Sequence, residues 1–79
     1  MANKTEERIK RILSELLGVA KEELTDKASF EIDLNIDPIE LKEAVSRVFE
    51  EFKVEEEREF KTVGELIGFI KDHLDEIGE

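Results

Sequence analysis

The sequence contains no cysteine, so no disulfide staples the fold and no thiolate is available as nucleophile or metal ligand. A single histidine, His73, cannot supply a His-rich metal centre. No apolar stretch is long enough for a lipid bilayer, and none follows the start as the core of a signal peptide would, which sets the cytoplasm as the expected address. Basic side chains are scarce as well: 12 Lys and Arg stand against 22 Asp and Glu, a formal net charge of -10. That balance argues against nucleic acid or an anionic membrane as partner and favours a basic protein surface. With 79 residues there is room for one small domain, residues 1 to 79, and none for a separate catalytic domain. What is present is a 39% hydrophobic fraction beside 43% charged residues, too apolar for a disordered acidic tail. The expectation is a soluble, folded, acidic domain held by its hydrophobic core alone.

Apolar periodicity places three long helices. Ile9, Ile12, Leu13, Leu16 and Leu17 recur at helical spacing, with Asn3 and Glu6 as a start signal and Gly18 as a left-handed end. Between Val19 and Ile36 the periodicity fades into single anchors, Val19, Leu24, Phe30, Leu34 and Ile36, with room for one helical turn at Glu22-Glu23-Leu24. A connection of that length in a small domain is expected to pack over the core. The second helix starts at Asp37-Pro38-Ile39-Glu40, a cap followed by proline at the first helical position. Its apolar face is Leu41, Ala44, Val45, Val48, Phe49 and Phe52. The polar run from Lys53 to Glu59 reads as a loop with at most one helical turn, and Phe60 closes it. Thr62 and Glu65 form a capping box for the last helix, whose stripe is Val63, Leu66, Ile67, Ile70, Leu74 and Ile77 before Gly78. Gly64 and Gly68 fall opposite that stripe, which suggests close approach by a partner backbone or simple tolerance, with Phe69 beside them as an exposed anchor.

Charge is unevenly distributed. Residues 1 to 27 hold six basic and six acidic side chains, whereas residues 28 to 60 hold four basic and eleven acidic ones. The second helix and its flanking loops therefore carry most of the negative charge, enough to steer a positive protein patch, although acidic runs also keep small domains soluble. Asp37, Glu40, Glu43, Arg47, Glu50 and Glu51 are the candidate partner-binding residues. Glu31, Asp33 and Asp37 offer oxygen ligands to a hard cation, but without the glycine and terminal glutamate of a calcium loop, so no metal is expected. His73 has no matching nucleophile or ligand and reads as a boundary residue.

The order of these features resembles the acyl carrier protein family over residues 5 to 74. Glu6-Glu7-Arg8-Ile9-Lys10 and Leu17-Gly18-Val19 are similar to that family's first helix and its exit; Ala28-Ser29-Phe30 and Asp33-Leu34 are similar to its long loop. Glu50-Glu51-Phe52 resembles the end of its second helix, and Lys61-Thr62-Val63-Gly64-Glu65-Leu66 the start of its last. The resemblance implies an all-α, right-handed bundle of three long helices plus a short one, with an acidic second helix that docks on basic patches of partner enzymes. It also implies a Gly-x-Asp-Ser-Leu motif whose serine carries a phosphopantetheine arm. Here the same stretch reads Asn35-Ile36-Asp37-Pro38-Ile39, so proline stands at the serine position and no phosphopantetheine cofactor is expected. The stretch between Phe52 and Val63 is also short for the family, so the short third helix is expected to be truncated or missing.

Ser14, Ser29 and Ser46 are the other hydroxyls considered for attachment, but none follows an aspartate; Ser14 and Ser46 read as helix-surface residues and Ser29 as a turn or cap hydroxyl. The leading expectation is a monomeric, non-enzymatic binding module of carrier type, with no catalytic residues. Two alternatives remain: a carrier of acyl or lipid cargo in fatty acid or related biosynthesis, holding it noncovalently between the second and last helices or through another residue, and an idealised, engineered carrier scaffold.

Overall fold

The computed structural model describes residues 4–56 and 58–76. Asn3, Ile77 and Gly78, which the sequence places at helix ends, lie outside the described residues. Three helices carry the fold: α1 (Lys4–Leu17), α2 (Pro38–Glu51) and α3 (Val63–Glu76), with one 3-10 turn, Lys21–Glu23, in the long connection. Among the described residues there is no strand; one isolated antiparallel bridge joins Ser29 and Thr62. The fold class is all-α, and residues 54–56 and 58–62 contain no helix where the short third one would stand.

On α1, Ile9 and Leu13 are fully buried, and Ile12 and Leu17 pack on the edge of the core. Leu16 departs from the expected stripe: it is 45% exposed, because core packing in the last turn falls on Leu17 and continues to Val19, leaving Leu16 on the open flank. The helix stops where Gly18 takes φ +70° and its N–H donates to the Ser14 carbonyl at 3.0 Å, a single left-handed cap. Ser14 is more than a surface residue, since its hydroxyl donates to the Val19 carbonyl at 2.6 Å and ties the exit down.

The start of α2 follows the expected chemistry. Asp37 lies in extended conformation, its Oδ1 accepts the Ile39 N–H at 2.8 Å, and Pro38 fills the first helical position, where a missing N–H costs nothing. The end uses a residue that the sequence does not flag. Lys53 adopts φ 59°, its N–H reaches the Glu50 carbonyl at 3.2 Å, and the Val54 N–H reaches the Phe49 carbonyl at 2.8 Å. This two-bond closure normally takes glycine; here lysine accepts the left-handed conformation so that Val54 can enter the core beside Phe49.

The long connection is sewn to the start of α3. Val63 N–H donates to the Ala28 carbonyl and Gly64 N–H to the Asp26 carbonyl, both at 3.0 Å, while Phe30 N–H donates to the Lys61 carbonyl at 3.0 Å. Glu65 N–H takes the Thr62 hydroxyl oxygen at 3.2 Å as acceptor. The Glu65 carboxylate closes the box on the Lys61 N–H at 2.9 Å, one residue earlier than the standard pattern. The first N–H groups of the helix are thereby satisfied without water. Gly64 has its reason inside the chain and not in a partner: a Cβ there would stand 2.7 Å from the Asp26 carbonyl oxygen. Gly68 faces open space.

α1 packs directly on both α2 and α3. α2 and α3 meet through aromatic side chains: the Phe49 and Phe69 rings stack at 5.6 Å, and Phe60 meets Phe49 edge-on at 6.1 Å and Phe69 at 5.6 Å. Phe69 is therefore not the exposed anchor that its place off the stripe suggests. It is half-buried, and the Arg58 guanidinium lies over its outer face, 4.9 Å from the ring centre. Phe60 and Arg58 both come from the segment after α2, which closes over the ring without forming a helix among its described residues.

Candidate functional site

All six residues proposed for partner contact are exposed, and their spacing on α2 puts them on one outward arc away from Val45, Val48 and Phe49. Asp37 and Pro38 form the rim at the start of the helix, Glu40, Glu43 and Arg47 follow, and Glu50 and Glu51 close the far end. Glu51 differs from the others. It forms an ion pair with Arg8 of α1, whose guanidinium also sits 4.9 Å from the centre of the Phe52 ring, so its charge is partly met within the chain. The open face is net negative, with Glu40, Glu43 and Glu50 grouped around Arg47.

Beside the charges lie apolar side chains that the sequence reading did not single out. Ile39, next to Pro38, is 71% exposed, and Ile32 in the long connection is 84% exposed. Ile36, four positions on from Ile32, is by contrast buried, as expected of an anchor of the long connection. The backbone that presents Ile39 is firmly set. Asn35 holds φ 56°, a conformation that asparagine tolerates better than most residues, and the Ile36 N–H donates to the Phe30 carbonyl at 2.8 Å.

Two of the three candidate cation ligands, Asp33 and Asp37, accept backbone hydrogen bonds, and Glu31 is exposed. Asp33 Oδ2 accepts the Ser29 N–H at 2.7 Å, Asp37 Oδ1 is taken up by the helix cap, and among the described residues no three acidic or histidine side chains converge as a metal site. Ser29 acts as the turn hydroxyl expected of it, accepting the Ile32 N–H at 3.1 Å. Ser46 is exposed on α2, and His73 is half-buried in the last turns of α3.

Every buried side chain among the described residues is apolar. Between α2 and α3, where cargo would lie, the three phenylalanine rings are in mutual contact. An open recess of about 370 Å³ lies instead on the long connection, lined by Glu23, Thr25, Lys27, Ala28, Asp33 and Leu34, a mixed-charge setting unlike an acyl pocket. No helix among the described residues is long and apolar enough to cross a membrane.

The described residues form an all-α domain whose second helix is capped by Asp37 and begins with an exposed residue, Pro38. The chain matches the family described as phosphopantetheine attachment site over residues 7–70, well over half its length. It belongs to that family, consistent with the likeness to acyl carrier proteins.

Proposed function

We propose that this chain is a carrier-fold binding module that takes no phosphopantetheine at residue 38 and docks basic proteins through the outer face of α2. The observation that carries the reading is the α2 surface itself: Glu40, Glu43 and Glu50 are exposed along one arc that begins at Pro38. Attachment needs a hydroxyl oxygen to form the phosphodiester, and a proline ring offers neither a nucleophile nor a proton to remove. The remaining serines suit the role less well, because Ser14 and Ser29 are hydrogen-bonded into turns and Ser46 lies two turns into the helix. Packing of Phe49, Phe60 and Phe69 between α2 and α3 disfavours noncovalent cargo there.

The test has two readouts. Intact mass before and after incubation with coenzyme A and a broad-specificity phosphopantetheinyl transferase is expected to stay unchanged; an added arm, located by fragmentation at Ser14, Ser29 or Ser46, would refute a module that carries no phosphopantetheine. Binding to the immobilised transferase is expected to weaken with salt, and about tenfold on combining Glu43→Lys with Glu50→Lys, with helicity retained. Equal binding by the double variant would remove α2 as the contact surface.

A further inference from the structure

We infer that the chain occupies, without being modified, the enzyme surface that accepts serine-bearing members of its family, and so restrains transfer of phosphopantetheine to them. The inference rests on the docking face proposed above and goes further in naming its occupant and consequence. Any enzyme that loads this family must bind a donor bearing a pyrophosphate, and a site that neutralises those charges is rimmed by cations. The exposed arc of Glu40, Glu43 and Glu50, three carboxylates around the single cation Arg47, is net negative and complements such a rim. A second copy of this chain does not, because two surfaces of a molecule of net charge -10 repel.

Charge is accompanied by an apolar anchor. Ile39 is 71% exposed directly after Pro38, on a backbone held by the Asp37 cap at 2.8 Å and by the left-handed Asn35. An exposed aliphatic side chain ringed by charge is the arrangement that concentrates binding energy at protein interfaces once a pocket receives it. Because the helix start is already ordered, little entropy is lost on docking. The enzyme thus meets a surface shaped for capture and, at residue 38, a position without chemistry. In a competent carrier the serine oxygen attacks the donor's pyrophosphate, a new P–O bond forms, the old P–O bond breaks, adenosine bisphosphate leaves, and the hydroxyl proton passes to a base. With Pro38 the first of these events has no nucleophile, and the complex can only dissociate.

Competition kinetics test the inference. The transferase acts on coenzyme A and a serine-bearing carrier domain of this family while the wild-type chain is added. The apparent KM for the carrier is expected to rise, about doubling when the chain equals its own dissociation constant, with kcat unchanged. The variant combining Glu43→Lys and Glu50→Lys is expected to lose the effect. In parallel, Pro38→Ser, checked for helicity, is offered as substrate. If the serine variant accepts the arm but the wild-type chain leaves the KM unmoved, the restraint is refuted while the docking face stands. If the wild-type chain does not compete and the variant is not modified, the docking face falls as well.

Discussion

Gly64 and Gly68 lie one turn apart on α3, yet a methyl group meets different surroundings at the two positions. At Gly64 it would press on a backbone oxygen, that of Asp26, at 2.7 Å, and that oxygen also accepts the Gly64 N–H. Relief requires the long connection to move and its bonds to the start of α3 to loosen, so Gly64→Ala is expected to cost about 1–3 kcal/mol. At Gly68 nothing lies within 4 Å, and the helix propensity of alanine should win by up to about 1 kcal/mol. Denaturant midpoints for the two variants should move in opposite directions; movement in the same direction would contradict the packing described here. Residue-level features governed by near neighbours were legible in the sequence: the Asp37 cap, Pro38 at the first position and the left-handed Gly18 all follow local rules. Those that depend on distant chain were not. Nothing near Gly64 in sequence announces Asp26, and nothing about Lys53 announces a left-handed conformation that only the burial of Val54 demands.

The same division holds for whole elements. Three helices follow from apolar periodicity, because each buries one stripe against the others, and the shortness of the segment after α2 already left little room for another helix. Periodicity failed at Phe69, since it assumes one buried stripe per helix, and α3 acquires a second contact where Phe49 and Phe60 approach from other elements. Helix-to-helix charge contacts were equally hidden. Glu6, in the first turn of α1, pairs with Lys10 at 3.0 Å on its own helix and with Lys71 of α3 at 3.5 Å. The hydrogen bond from Lys10 holds the Glu6 carboxyl below its ordinary range, with Lys71 adding to the effect and burial opposing it. A lowered folded value means that the ionised group stabilises the fold above the ordinary carboxylate range, and that this contribution is lost as pH falls through the lowered value. Glu6→Gln should therefore melt earlier than wild type at neutral pH and match it in acid, by well under about 1 kcal/mol because the pairs are partly exposed. Thermal melts across the acid range check this; a constant gap between the two proteins would separate Glu6 from the pH dependence.

At the scale of the molecule, the net charge of -10 sets two responses to salt that have opposite signs. The described chain has a radius of gyration of 11.7 Å, close to the screening length of about 10 Å at 0.1 M salt, so at low ionic strength its acidic side chains repel one another across the whole body. Against this stand the partly exposed pairs Arg8–Glu51, Lys10–Glu6 and Lys71–Glu6, each contributing about 0–1 kcal/mol and each weakened by the same screening. Ten uncompensated charges outweigh three such pairs, so added salt should stabilise the fold, raising Tm by several degrees at the usual response of about 4–8 °C per kcal/mol. Docking to a basic surface should weaken over the same range, because the attraction is screened while the apolar anchor at Ile39 is left. The acidic face was legible from sequence because surface charge needs no knowledge of packing; the tie between Glu51 and Arg8, which narrows it, needed the juxtaposition of α1 and α2. Exchanging Glu43 and Glu50 for lysine links the two responses, since it shifts the net charge from -10 to -6 and removes the centre of the proposed docking face. That variant should show a smaller gain of Tm with salt together with a flatter salt dependence of binding. Calorimetry and binding titrations at matched ionic strengths measure both; a variant that kept the full salt response of Tm would place the dominant repulsion elsewhere than α2.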